Sequence, residues 1–136
     1  MDNDQLQYFA NKLAYEIDPY DLNVAIKGGE KIIVIDTRVP EAFAEEHIPR
    51  AISLPHRTMT EATTAALDRS ALVVTYCDGI GCNGSTKGAL NMTRLGFRVK
   101  ELIGGFQWWK LDGYPTEGRG ASNGARPICA CNLSGE

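Results

Sequence analysis

The chain has 136 residues, 43% of them hydrophobic and 23% charged, and its 14 Lys and Arg against 17 Asp and Glu leave a net charge of −3. That composition suits one globular domain and argues against a disordered chain and a strongly basic nucleic-acid surface. No apolar run approaches the roughly 20 residues of a membrane span, so no membrane association is expected.

The opening MDNDQLQYFANKL is acidic and amphipathic, with no basic segment ahead of an apolar block. It does not read as a secretory signal, and a cytoplasmic setting is expected, where thiols stay reduced. Leu6, Phe9, Ala10 and Leu13 fall at helical spacing, so residues 1–13 are expected to form an N-terminal helical extension. AYEI (14–17) reads as a short strand. Asp18 and Pro19 form an N-cap and first-turn pair, Leu22, Ala25 and Ile26 supply an apolar stripe, and Gly28-Gly29 ends that helix. KIIVID (31–36) is a continuous apolar run ending in a charge, as expected for a strand covered on both faces. Pro40 starts a short helix through about Glu46, AISL (51–54) reads as a strand, and MTEATTAAL (59–67) as a helix. ALVVTY (71–76) is the second strong buried strand. Ala89, Leu90, Met92 and Leu95 mark a helix ended by Gly96, RVKELI (98–103) is the last strand, and GGFQWWKLDGYP (104–115) holds a turn and a short helix. Strands alternating with helices predict an α/β domain with a mostly parallel sheet and helices on both faces. Residues 117–136 are rich in Gly, Ser, Asn and Pro, and are expected to form a flexible tail outside the core.

The four cysteines are Cys77, Cys82, Cys129 and Cys131. In a reducing compartment they point to chemistry or metal binding before a disulfide framework, although one disulfide within either close pair stays open. Cys77 and Cys82 lie in VVTYCDGIGCNGS (73–85), a glycine-rich loop directly after a buried strand. Gly79, Gly81 and Gly84 permit left-handed backbone and a tight curl. A helix beginning near Ser85 puts a helix N-terminus and a nest of N–H groups around Cys77. Such surroundings lower a thiol pKa below its free value of about 8.5. Cys77 is therefore the expected nucleophile, with Asp78, Gly79, Ile80, Gly81, Asn83, Gly84 and Ser85 as the substrate-binding loop.

At this point the chain resembles the single-domain rhodanese sulfurtransferases over residues 14–116. VIDTR (34–38) is similar to their Asp-x-Arg strand end, and EAFAEEHIPRAISLP (41–55) to their His-Ile-Pro-Gly-Ala segment. YCDGIGCNGSTKGAL (76–90) is similar to their active-site loop, and LGFRVKELIGGFQWWKLDGYP (95–115) to their closing segment. The resemblance implies a five-stranded sheet and catalysis through Cys77, with no metal and no organic cofactor. The implied reaction moves a sulfane sulfur from thiosulfate or a persulfide, through a Cys77 persulfide, to a thiol or cyanide acceptor. A protein-borne persulfide is a further donor class. Asp36 and Arg38 are expected to support the loop by pairing with each other, with substrate contact as a second role.

Three departures from the family pattern bear on the substrate. The loop is about two residues longer before its Gly84-Ser85. Between Cys77 and Thr86 the only charge is Asp78, which opposes thiolate formation and repels anionic donors unless Arg38, Arg57 or Lys87 supplies a cation. Arg50 stands where the family has Gly, either as a surface change or as a cation near the mouth. Cys82 has two readings: a resolving thiol that forms a disulfide with Cys77, or a small apolar residue packed on the helix. His47 and His56 are expected to be structural. Cys129 and Cys131 are too few for a structural zinc site, which takes four ligands, and are read as part of the tail.

Three other functions compete. A phosphatase of this fold needs an arginine six residues after the cysteine, where this chain has Asn83. A thiol redox enzyme would reduce disulfides or arsenate through Cys77 and Cys82. A non-enzymatic protein-binding module would not need an intact nucleophile.

Overall fold

The structure, a computed structural model, describes residues 3–124. Helix α1 (Asn3–Tyr15) runs directly into β1 (Glu16–Ile17), so the strand read at 14–17 keeps only its last two residues. Helix α2 (Pro19–Lys27) has the expected cap: the Asp18 carboxylate accepts from the backbone N–H of Asp21 at 2.8 Å. It is followed by β2 (Ile32–Asp36), α3 (Pro40–Glu45), β3 (Ile52–Ser53), a 3₁₀ turn at His56–Thr58, β4 (Leu72–Tyr76), α4 (Gly84–Arg94), β5 (Arg98–Leu102) and α5 (Gly105–Leu111).

The five strands form one sheet in the order β1-β5-β4-β2-β3, and every pairing is parallel. Val34, Val74 and Tyr76 point to one face, where Leu22 and Ile26 of α2 and Phe106 and Trp109 of α5 cover them. Ile35 and Val73 point to the other, where Met92 of α4, Met59 and Phe97 close the core. This double burial accounts for the uninterrupted apolar runs IIVI and LVV.

Two expectations are corrected. Residues 59–67 are a series of turns, not a helix. The Thr64 and Thr63 hydroxyls donate to the carbonyls of Thr60 and Thr58, at 2.7 and 2.6 Å. Threonine hydroxyls that bond local backbone compete with the helical ladder. Residues 117–124 lie on the body of the domain instead of starting a tail. Glu117 and His47 exchange two backbone hydrogen bonds of 2.8 and 2.9 Å, and Gly120 N–H donates to the Glu45 carbonyl at 2.7 Å. Gly118 and Gly120 allow this approach, since a Cβ on either would stand within 3 Å of Glu45 atoms. Cys129 and Cys131 lie outside the described residues.

β4 is the central strand, with β2 beside it and Asp36 in register with Tyr76. After β2 the chain moves to β3 on one side; after β4 it moves to β5 on the other. The carboxyl ends of β2 and β4 therefore flank the topological switch point, where sheets of this kind bind their ligands. Thr37 and Cys77 are the next residue on each strand.

Candidate active site

The end of β2 is a closed polar network. The Asp36 carboxylate is fully buried. Arg38 donates to it from Nε at 3.0 Å and from Nη2 at 2.8 Å, and Nη2 also donates to the Glu46 carbonyl at 2.7 Å. The Tyr76 hydroxyl donates to Asp36 Oδ2 at 2.9 Å and accepts from the Ile48 N–H at 3.2 Å. The guanidinium also lies 4.6 Å from the centre of the Phe106 ring. Burial works against the Arg38 charge, but hydrogen bonding and charge attraction to Asp36, with smaller help from Tyr76 and Asp78, together outweigh it and hold its pKa above the usual value. Burial, and then the Asp36 carboxylate, push the Tyr76 phenol up. Arg38 therefore keeps its charge across the physiological range, 2.8 Å from the Asp36 carboxylate.

The end of β4 is built differently. Cys77 is 4% exposed and is joined to Cys82 by a disulfide. Its carbonyl accepts from the Phe106 N–H at 2.8 Å, and the Asp78 carbonyl accepts from Gln107 at 2.7 Å. Gly105, at φ +62°, makes this possible: a Cβ there would stand 2.6 Å from the Cys77 oxygen. Gly84, the first residue of α4, sits against the sulfur, since a Cβ there would lie 3.1 Å from Cys77 Sγ and 3.3 Å from Thr37 Oγ1. Asn83 gives that helix end no side-chain cap.

The loop glycines thus serve close approach. The left-handed freedom that Gly79, Gly81 and Gly84 permit is not used, since none has positive φ; beside the loop that conformation falls at Gly104 and Gly105. The expected nest of N–H groups is also partly turned away from the sulfur, because the Cys82 N–H donates to the Gly79 carbonyl at 3.1 Å. What faces Cys77 Sγ is the start of α4.

Asp78 is exposed, but Arg38 Nη1 donates to its Oδ1 at 3.2 Å, so its charge is partly matched. Ile80 is 74% exposed. Ser85 is buried and donates to Glu101 Oε2 at 2.7 Å; Thr86 donates to the same oxygen at 2.6 Å. Cys82 borders two cavities. One, of about 260 Å³, is lined by Glu16, Ile80, Asn83 and Glu101 among others. The other, of about 460 Å³, is lined by Arg38, Asp78, Phe106, Gln107 and Lys110. Arg57 and Lys87 line neither of them.

Thr37, Gln107 and Lys110 were not anticipated as site residues. They are distant from the cysteines in sequence, and only the 36–37 strand end carried a signal, through its register with β4. His47 is structural in its contacts: Nδ1 is 2.7 Å from the Phe43 carbonyl and the ring stacks on Phe43. Burial, then Lys87 and Arg57, hold His56 below its usual value. Arg50 is away from the mouth, its Nη1 donating to the Ile26 carbonyl of α2 at 3.2 Å.

Residues 18–112 match the family described as the rhodanese-like domain. The chain is 36% identical over 87 residues to thiosulfate sulfurtransferase GlpE of Coxiella burnetii, covering 62% of this chain and 77% of that one. It is 33% identical over 101 residues to thiosulfate sulfurtransferase GlpE of Pseudomonas putida, covering 73% and 87%. Among solved structures it is similar to the BH2092 protein from Bacillus halodurans, with a TM-score of 0.84 and 42% identity over 95% of each chain. The match runs from the Asp18 cap to the end of α5 and takes in both strand ends of the switch point, so this chain belongs to the rhodanese-like domain family.

Proposed function

We propose that the protein is a sulfurtransferase in which Cys77 carries the sulfur. Once the loop disulfide is reduced, the Cys77 thiolate attacks the outer sulfur of a sulfane donor and expels the rest of the donor. The resulting persulfide passes its terminal sulfur to a thiol or to cyanide. The observation that carries this reading is the position of Cys77 Sγ, at the switch point and against the uncapped first residue of α4. A helix N-terminus favours the thiolate over the thiol. Asp36 and Arg38 are assigned to positioning, because the guanidinium is already taken up by two carboxylates and a carbonyl.

The donor class follows from the same charges. The cations bordering the loop cavities, Arg38 and Lys110, are each engaged by carboxylates. A neutral or protein-borne persulfide is therefore favoured over thiosulfate, with the reaction in the cytoplasm. The test is intact mass of the reduced protein after incubation with a sulfane donor. Wild type gains one sulfur, Cys77→Ser gains none, and Cys82→Ser still loads. Hydrolysis of p-nitrophenyl phosphate with no sulfur gained overturns this reading in favour of a phosphatase.

The Cys77–Cys82 disulfide supports a second reading, a thiol redox enzyme. That activity needs both thiols at every turnover, so Cys82→Ser abolishes it while leaving a sulfurtransferase able to load.

A further inference from the structure

The two sulfurs of the loop disulfide are not equivalent. Cys77 Sγ lies against Gly84, where a Cβ would stand 3.1 Å from it, and its residue is 4% exposed. Cys82 is partly exposed and borders both loop cavities, whose linings do not include Cys77. Thiol–disulfide exchange depends on which sulfur the attacking thiolate can reach and on how well the other leaves. Access favours attack at Cys82. The leaving group favours it too, because the departing Cys77 sulfur lies against the start of an 11-residue helix whose N-cap residue, Asn83, makes no side-chain cap bond.

We propose that the disulfide is opened at Cys82. A solution thiolate bonds to Sγ of Cys82, the bond between the two loop sulfurs breaks, and its electron pair leaves on Cys77 as a thiolate. The attacking sulfur is oxidised to the mixed disulfide and Cys77 is reduced, with no other reactant. A second thiolate then attacks the outer sulfur of the adduct, giving a small disulfide and the Cys82 thiolate. The surroundings fit this order. Cys77 is held by β4 and by the Phe106 N–H on its carbonyl, so its sulfur stays beside α4 throughout. Cys82 faces about 260 and 460 Å³ of open cavity, room for the added group. The consequence is a thiol-gated site: the first thiol to arrive is stored on Cys82 and sets Cys77 free.

This inference rests on the reading of Cys77 as the nucleophile, and one experiment separates the two. The full-length chain carrying Cys129→Ser and Cys131→Ser is oxidised, so that the loop pair holds its only cysteines. It is mixed with 2-mercaptoethanesulfonate, quenched with N-ethylmaleimide at the earliest times that give adduct, and mapped by peptide mass. The mercaptoethanesulfonate adduct is expected on Cys82 and the maleimide on Cys77, in about tenfold or greater excess over the reverse pattern. Equal amounts, or more adduct on Cys77, overturn the inference. The same protein, fully reduced, is tested in parallel for sulfur loading from a sulfane donor. Failure to load there removes the sulfurtransferase reading whichever way the adduct falls, and loading with the reverse adduct pattern removes only the inference about Cys82.

Discussion

The ends of β2 and β4 lie side by side at the same rim of the sheet, and they are finished in opposite ways. At β2, Asp36 is buried and bonded to Arg38 and Tyr76, and Arg38 reaches on to Glu46 and Asp78. At β4, Cys77 leads into a loop with few internal hydrogen bonds and a partner sulfur that meets solvent. A buried ion pair pays its desolvation cost only when its remaining hydrogen bonds are satisfied, and such a pair resists rearrangement. A loop of glycines with one strand-anchored residue can open and close without disturbing the core. The contrast sets a fixed polar network beside the proposed nucleophile across a single strand pairing.

The largest effect is expected where the rigid end is broken. Asp36→Asn leaves the Arg38 charge buried without its main partner and should cost about 3 kcal/mol, read from urea unfolding of the reduced protein. Sulfur loading by the protein that remains folded should stay within about twofold of wild type, because Asp36 acts on the scaffold. Complete loss of loading in a folded Asp36→Asn protein would break the comparison by putting the carboxylate in the chemistry. Gly105→Ala sharpens it from the other side. The residue sits at φ +62°, and its Cβ would stand 2.6 Å from the Cys77 carbonyl oxygen and 3.0 Å from the Gly79 nitrogen. About 2 kcal/mol of stability should be lost. Loading should also slow by about tenfold or more, since the displaced carbonyl belongs to Cys77, the proposed sulfur carrier.

Much of this was legible before any coordinates. IIVID and LVVTY announce buried parallel strands because both faces of each are covered, and the Asp18-Pro19 cap forms as read. Cys77 at the rim end of a buried strand follows from the same reasoning. The failures have local causes. Residues 59–67 carry apolar spacing, but four threonines between 58 and 64 offer the backbone alternative partners. The composition of 117–124 reads as linker, yet its glycines mark contacts with Glu45 that only the folded chain reveals. The same blindness hid Gln107 and Lys110, whose approach to the cysteine loop depends on how α5 packs. The partnership of Cys82 with Cys77 was open because a separation of five residues does not dictate the 6.2 Å between their Cα atoms.

The smallest effect expected concerns Arg50, which sits apart from both strand ends. It is the one non-glycine with positive φ among the described residues, at 69°. That conformation costs a side chain with a Cβ about 1 kcal/mol, and glycine would hold it without strain. Against this, the guanidinium donates to the Ile26 carbonyl in the last turn of α2, where a cation is favoured by the helix dipole and contributes about 0.5 kcal/mol. The backbone N–H of residue 50, which donates to Glu117 Oε1 at 3.2 Å, survives any of these substitutions. Arg50→Gly relieves the strain, loses the carbonyl contact and loosens the unfolded chain, so its stability should fall within about 1 kcal/mol of wild type. Arg50→Ala keeps the strain and loses the contact, and should lie about 1 kcal/mol below Arg50→Gly in the same urea titration. Both should load sulfur like wild type. A loading defect in either, at unchanged stability, would move Arg50 from the back of α2 into the working half of the molecule and leave the β2–β4 contrast incomplete.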